Sequence, residues 1–188
     1  MIIGLMEIGS IMTRSLCVLA LAVCAPILRA DLIFQATLLP GNEVPPHATP
    51  ASGFITVDLH ADLITLDVSE TFDNLSSLAS AAHIHCCAPA GANAAVALPF
   101  PGFPNTIDGT YTHTFDLDTD LVGGMTAATF IAGLESGDAY ANIHDAIFPG
   151  GEIRGQLAPV PEPNAVVLLG GCLLVLGLLR RRVRPAVQ

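Results

Sequence analysis

The chain has 188 residues, a formal net charge of −10 at pH 7 and a mean hydropathy of +0.60. Residues 31–158 hold fifteen acidic side chains and a single basic one, Arg154, so this segment has a charge of about −14. Such a surface repels phosphate groups, which excludes nucleic-acid binding and favours solubility and attraction to cations. The high hydropathy comes largely from the two ends of the chain, which leaves roughly 130 residues for one domain with a core.

The first thirty residues have the three parts of a secretory signal. Met12, Thr13 and Arg14 form a short positive region, residues 15–28 are an apolar run, and Ala30 is a small residue that precedes Asp31. This order is typical of a signal peptide that is cleaved after export. The pattern predicts a signal helix within residues 1–30, with an uncleaved anchor helix as the alternative.

The central segment, residues 31–158, has the pattern of an all-β domain. Short apolar runs with a period of two alternate with turn residues, which indicates strands. Residues 60–62 are expected to form a hairpin turn, and residues 126–134 have apolar side chains at helical spacing. The predicted fold is an antiparallel β-sandwich or barrel with one short helix. The predicted strands are 31–38, 53–59, 63–72, 81–86, 94–98, 110–117, 139–144 and 152–158.

Distinct sequence blocks follow one another through this domain. They read GNEVPP at 41–46, AHIH at 82–85 with APAG at 88–91, YANIH at 140–144 and PGGEIRGQL at 149–157. In this order they resemble the CHRD domain, a module first named in chordin and common in exported bacterial proteins. The resemblance covers nearly all of residues 31–158 and implies an exported domain, but it supplies no mechanism. The sequence departs from the family at Cys86 and Cys87, which stand where glycine is frequent, and at Asp145 after the second histidine motif.

The histidine motifs suggest a metal site. His83 and His85 are two residues apart in a predicted strand, so their side chains share one face. If the strand that ends at His144 is a neighbour, three imidazoles and the Glu152 carboxylate form a donor set suited to zinc or copper. The alternative is a structural polar network, in which the histidines bond to backbone or to acids and Glu152 pairs with Arg154.

The central segment contains two cysteines, Cys86 and Cys87, which are adjacent. In an exported protein such a pair can be oxidised to a disulfide, although the ring closes only against resistance from the intervening peptide. The alternatives are two small, partly buried side chains, a bridge to another molecule, and a thiolate that joins the metal ligands.

No sequence motif indicates catalysis. No serine lies in a nucleophile elbow, and no pair of acids has the spacing expected of a glycosidase. The His-x-His motif is only weakly similar to copper–zinc superoxide dismutase, which needs more histidines in a bridged arrangement. The sequence therefore predicts a non-enzymatic protein without a cofactor, with zinc or copper at the histidine cluster as the alternative.

The C-terminal segment, residues 159–188, ends the chain with an apolar run and a basic end. The run from Ala165 to Leu179 predicts a transmembrane helix at about residues 164–180, and the arginines that follow should stay cytoplasmic. The short motif before the run and the basic end after it consist of Pro161, Glu162, Pro163, Arg180, Arg181 and Arg182.

These parts in this order resemble the PEP-CTERM sorting signal of Gram-negative bacteria. The resemblance implies recognition by an exosortase, a membrane cysteine peptidase, with cleavage near Pro161–Pro163. It also implies a destination in the cell envelope or extracellular matrix, and a single-pass anchor is the alternative. The expected partners are the export machinery and exosortase, the membrane through the tail helix, and an envelope protein or polysaccharide for the domain, with no nucleic acid.

Overall fold

The computed structural model describes residues 29–161 and 170–177 of the chain. All the helices and strands named below lie in the part of the chain that begins at Asp31. Nine strands and one α-helix follow one another in residues 29–161, with a 3₁₀ turn at Pro40–Asn42 after the first strand. The elements are β1 (Leu32–Leu38), β2 (Ser52–Leu59), β3 (Thr65–Asp73), β4 (Ala79–His85), β5 (Val96–Pro99), β6 (Gly109–Asp116), α1 (Ala127–Ser136), β7 (Tyr140–Asp145), β8 (Ile153–Gln156) and β9 (Ala158–Pro159).

The strands form two antiparallel sheets. The larger sheet has five strands in the order β6-β3-β2-β1-β9, and the smaller has four in the order β5-β4-β7-β8. The buried residues of both sheets belong to one hydrophobic cluster, as expected for two sheets packed face to face. The predicted all-β sandwich is confirmed.

Alternation along the strands builds this core. In β2, Ile55, Val57 and Leu59 are fully buried, whereas Phe54 is 43% exposed on the opposite face. The same alternation holds in β1 and β3, so each of these three strands has one buried, largely apolar face and one solvated face. This arrangement leaves the outer surfaces of both sheets available for polar side chains.

The short helix is also confirmed. Thr126 begins it as an N-cap whose side chain accepts a hydrogen bond from Thr129 N, and Gly137 ends it in the left-handed conformation at φ 75°. Phe130 and Leu134 on its inner face are fully buried. The helix thus closes one end of the core, and it ends two residues later than the sequence pattern predicts.

The predicted last strand, residues 152–158, is divided between the sheets. β8 pairs with β7 in the smaller sheet, and after Leu157 the chain enters the larger sheet, where β9 pairs with β1. Leu157 is buried and its N–H donates to Ala139 O. One apolar run therefore serves both sheets, which period-two alternation alone does not reveal.

The two predicted terminal helices lie largely outside the described residues. The signal segment at 1–28 is not described, and of the predicted transmembrane helix only residues 170–177 are, which are helical and exposed. In the described part of the chain, no helix is long and apolar enough to cross a membrane.

Candidate histidine metal centre

The three histidines lie together on the outer face of the smaller sheet. In β4, Ala82 and Ile84 point into the core, so His83 and His85 point outward. In the adjacent strand β7, Asn142 is opposite His83 and His144 is opposite Ala81. The pairing of these two strands therefore brings the side chains of both histidine motifs to one place, as the sequence predicts if the strands are neighbours.

The ring nitrogens of these histidines converge. One ligand atom from each of His83, His85 and His144 lies within 4.8 Å of the other two. His83 Nδ1 is 3.1 Å from His144 Nε2. Tetrahedral zinc holds nitrogens at 2.0–2.1 Å, so its ligand atoms are roughly 3.4 Å apart. The His83–His144 pair is already close to that spacing.

Backbone carbonyls determine which nitrogen of two rings carries the proton. His85 Nδ1 is 3.0 Å from Ala94 O, and His144 Nδ1 is 3.1 Å from Pro149 O. A carbonyl oxygen only accepts hydrogen bonds, so both Nδ1 atoms must donate. In a neutral ring the Nε2 atom then carries a lone pair, and in both residues this atom faces the centre of the cluster.

The oxygen of Asn142 lies between these two lone pairs. Asn142 Oδ1 is 3.1 Å from His85 Nε2 and 3.0 Å from His144 Nε2. The amide group of Asn142 is oriented by the Glu43 carboxyl group, since its other end lies against Glu43. Two imidazole lone pairs and an amide oxygen thus meet at close range with no proton between them, an arrangement that a cation would stabilise.

Burial keeps the imidazoles neutral. It lowers the pKa of His83 to about 4, and the neighbouring His144 and His85 add to the effect. It also lowers the pKa of His85 and of His144, and the Arg154 charge lowers that of His85 further. All three rings are therefore neutral at pH 7, which is the form that binds a metal.

A stack of three side chains supports His85. The Tyr140 ring is parallel to the His85 ring at 4.8 Å, with an angle of 2° between the planes. The Arg154 guanidinium lies over the other face of Tyr140, 3.3 Å from its centroid. Arg154 also donates to Ala92 O and Asn93 Oδ1, in the same loop whose Ala94 O accepts from His85. The buried arginine thus fixes the loop that orients the imidazole.

Glu43 and Gly151 complete the surroundings of Asn142. Glu43 is 5% exposed, and burial raises the pKa of its carboxyl group while the nearby Arg154 charge and Asn142 amide oppose the shift. Gly151 has φ 120°, and a Cβ there would overlap the Glu43 carboxylate and the Asn142 amide. A glycine is therefore required where the backbone passes between them.

The structure places Glu152 away from the imidazoles. Its carboxylate is fully buried and accepts hydrogen bonds from Ser76 N at 2.9 Å and Ser76 Oγ at 2.6 Å. Asp145 similarly accepts from Ser77 N and Ser77 Oγ. Glu152 therefore anchors the turn after β3, and the side-chain oxygen that lies beside the imidazoles is that of Asn142.

The two adjacent cysteines are joined to each other. Cys86 and Cys87 form a disulfide, so neither offers a thiolate to the cluster. Cys86 belongs to the hydrophobic core, on the inner face of the smaller sheet, and both sulfur atoms lie close to Gly133 of α1. The disulfide therefore packs against the helix just after the end of β4.

Sequence reasoning missed Glu43, Tyr140 and Asn142 as parts of this site. All three belong to the blocks that the sequence analysis singled out, GNEVPP and YANIH. The signal that could have found Asn142 is its position two residues before His144, which places both on one face of the strand.

Comparison with known proteins gives a single match. The model of the CHRD domain family matches residues 34–157. No curated protein and no solved structure matches the chain. The matched segment runs from β1 to the residue after β8, and it contains every residue of the histidine cluster and its surroundings.

Proposed function

The chain belongs to the CHRD domain family, and from this premise we propose that it is an exported, non-enzymatic protein that binds zinc or copper through His83, His85 and His144. Domains of this family are typically extracellular, which agrees with export. The predicted signal peptide supports the same destination. The domain would work where metal ions are exchanged outside the cytoplasm, and its acidic surface would raise their local concentration.

The observation that carries the proposal is the contact of His85 Nδ1 and His144 Nδ1 with backbone carbonyl oxygens, which makes the Nε2 atoms acceptors. Each ring donates through Nδ1 to a backbone carbonyl, which leaves both Nε2 lone pairs directed at the same Asn142 oxygen. Histidines that ligate metals commonly donate their other N–H to a carbonyl or carboxylate, which fixes the ring orientation. In a purely structural network the Asn142 amide would be turned, so that its nitrogen donates a hydrogen bond to both Nε2 atoms.

The donor set suits zinc or copper. Imidazole nitrogens are good ligands for both ions, whereas calcium and magnesium require mostly oxygen ligands. His83, His85 and His144 would supply three nitrogens, and Asn142 would supply an oxygen or leave that position to water. A bound ion would act as a Lewis acid, and the residues of this chain would orient its ligands.

The test is the metal content of the full-length protein purified without chelator. We expect about one zinc or copper ion per chain and a rise in melting temperature when the metal-free protein is reloaded, because a ligand that binds only the folded state stabilises it. The double variant His83→Ala/His85→Ala should lose both the metal and the response to it. His60→Gln, which changes a histidine outside the cluster, should keep both.

A structural network predicts the opposite pattern. The purified protein would then contain no metal, and the double variant would lose stability by the same amount with and without added zinc or copper. That result would overturn the proposal and would leave the histidines as hydrogen-bonding groups of the sheet.

We further propose that the C-terminal segment delivers the protein to the envelope through an exosortase. The support is the order of the Pro161-Glu162-Pro163 motif, an apolar run and terminal arginines, which resembles the PEP-CTERM signal. The described domain ends just before this motif, since the Val160 N–H donates to Ile33 O at 2.8 Å. Cleavage after Val160 would therefore leave the domain intact.

A further inference from the structure

The outer face of the larger sheet is covered with hydroxyl groups. On the edge strand β6, Thr110, Thr112 and Thr114 alternate outward. In the register of the sheet, Thr112 lies beside Ser69 of β3, and Ser69 lies beside Thr56 of β2. A row of three hydroxyl side chains therefore crosses three neighbouring strands.

A groove of about 540 Å³ follows this row. Two carboxylates lie in the adjacent row, where Thr114, Asp67 and Asp58 are register neighbours. The hydroxyl and carboxylate side chains that line the groove are those of Thr56, Asp58, Asp67, Ser69, Thr112 and Thr114.

Several of these polar groups have no hydrogen-bond partner among the residues that the structure describes. Asp58 Oδ1 is buried and accepts no hydrogen bond from the described residues. The hydroxyls of Ser69 and Thr112 make no hydrogen bond with the described chain either, whereas Asp67 is held by Thr114 Oγ1 and His60 Nε2. A buried acceptor without a donor costs free energy, so the groove favours a ligand that donates hydrogen bonds.

We propose that this groove binds a neutral polysaccharide, whose hydroxyls would donate to Asp58 and Asp67 and exchange hydrogen bonds with Ser69 and Thr112. Sugars carry hydroxyls that both donate and accept, which matches a row of hydroxyl groups beside a row that contains two carboxylates. Phe54, which is 43% exposed and two residues from Thr56 on the same face, offers an aromatic surface for the apolar face of a sugar ring.

The charge of the groove selects against acidic glycans. Asp58 and Asp67 lie within it, and burial together with the nearby Asp31 and Asp67 charges raises the pKa of Asp58. The only arginine of residues 31–158, Arg154, is buried in the other sheet. No permanent positive charge of the described domain is therefore placed to pair with a uronic acid or sulfate group.

The inference is tested by affinity electrophoresis of the full-length protein in gels that contain hydroxyethylcellulose, dextran or polygalacturonate. We expect retardation by at least one of the two neutral polymers and none by polygalacturonate. The double variant Ser69→Ala/Thr112→Val removes two hydroxyls that would bond to the sugar and should weaken binding about tenfold. Thr110→Val changes the same residue type on the same strand outside the groove and should bind like the unchanged protein.

Other outcomes would overturn the inference. Mobility unchanged by both neutral polymers would show that the groove is not a glycan site, and retardation by polygalacturonate alone would show that another surface recognises charge. Concentration-dependent dimerisation that the double variant abolishes would show that the face binds a second copy instead. Chelation should not alter the retardation, so this test is independent of the metal proposal.

Discussion

At the scale of single residues, Glu70 is a carboxyl group that is buried in an apolar environment. It is 1% exposed on the inner face of β3, and neither of its oxygens has a hydrogen-bond partner among the described residues. Burial raises its pKa to about 8. The pKa of Tyr111, which is opposite Glu70 in the sheet, rises to about 12 because of burial and the Glu70 charge. In the folded protein Glu70 is therefore largely neutral at pH 7.

This difference makes stability depend on pH. The unfolded chain loses the Glu70 proton near its ordinary pKa of 4.5, whereas the folded chain keeps it up to about pH 8. Its contribution is thus most favourable below pH 4.5, and it falls between pH 4.5 and 8 by up to about 1.4 kcal/mol per pH unit. We expect Glu70→Gln to remove this loss, so that the variant gains stability relative to the unchanged protein as pH rises.

The measurement is urea denaturation of both proteins at pH 5 and pH 8.5. The difference in free energy of unfolding should be larger at pH 8.5, and comparison of the two proteins cancels the pH dependence of the histidines. Asp73→Asn, at the exposed end of the same strand, serves as the control and should show no such trend. Equal differences at both pH values would contradict the assignment of a raised pKa.

The candidate site could be predicted in part from its residues. Strand alternation places His83 and His85 on one face. His144 joins them because β7 pairs with β4, a pairing that the sequence pattern supplies only as a condition. Glu152 could not be placed in this way, because it lies just outside β8 and alternation does not extend through the turn at Gly151. Asn142 shares a face with His144, but its contact with His85 depends on the neighbouring strand and was missed for that reason.

At the scale of elements, the contact between α1 and β4 depends on a glycine. Gly133 lies in the middle of the helix, where alanine would normally be favoured by about 1 kcal/mol. A Cβ at this position would overlap Cys86 Sγ and Cys87 Sγ. The close approach of the helix to the disulfide therefore requires glycine here.

We expect Gly133→Ala to destabilise the protein by about 1–3 kcal/mol, as overpacking of a core does, despite its better helix propensity. Thermal or urea denaturation would measure the loss. In the Cys86→Ala/Cys87→Ala background, Gly133→Ala should lower the free energy of unfolding by less than it does in the unchanged protein, because the overlapping sulfur atoms are gone. A stabilising effect of Gly133→Ala in the unchanged background would show that the helix can move away from β4.

The elements themselves were largely predictable, and their ends were not. Apolar alternation and turn residues predict eight strands, and the structure has a strand in each of those places. The β2–β3 turn is longer than predicted, because Asp62 accepts hydrogen bonds from Ile64 N and Thr65 N and delays the start of β3. Those bonds also lower the pKa of Asp62 to about 2. Assignment of strands to sheets required long-range pairing, which a local pattern does not contain.

At the scale of the whole molecule, we expect the C-terminal segment to direct location and the domain to fold without it. Removal of residues 162–188 retains Val160 and its hydrogen bond to Ile33 O. We expect the truncated protein to leave the membrane fraction and to melt at the same temperature as the processed protein. Cell fractionation and thermal denaturation would measure the two properties.

A motif variant distinguishes an exosortase signal from a plain anchor. Changing Pro161, Glu162 and Pro163 to alanine leaves the apolar run and the arginines in place. If an exosortase processes the chain, this variant should accumulate as a longer, membrane-bound form. Unaltered size and location relative to the unchanged protein would show that the segment acts only as an anchor.

The burial of Arg154 also determines whether proteases that cut after basic residues can cleave the folded domain. The sequence has no lysine, and Arg154 is the only arginine between Arg29 and Arg180. It is 1% exposed within β8, whereas proteolysis needs an accessible, flexible segment. A trypsin-like protease would thus find no usable bond in residues 31–158 until the domain unfolds. Resistance to this class of enzyme follows from where one side chain lies.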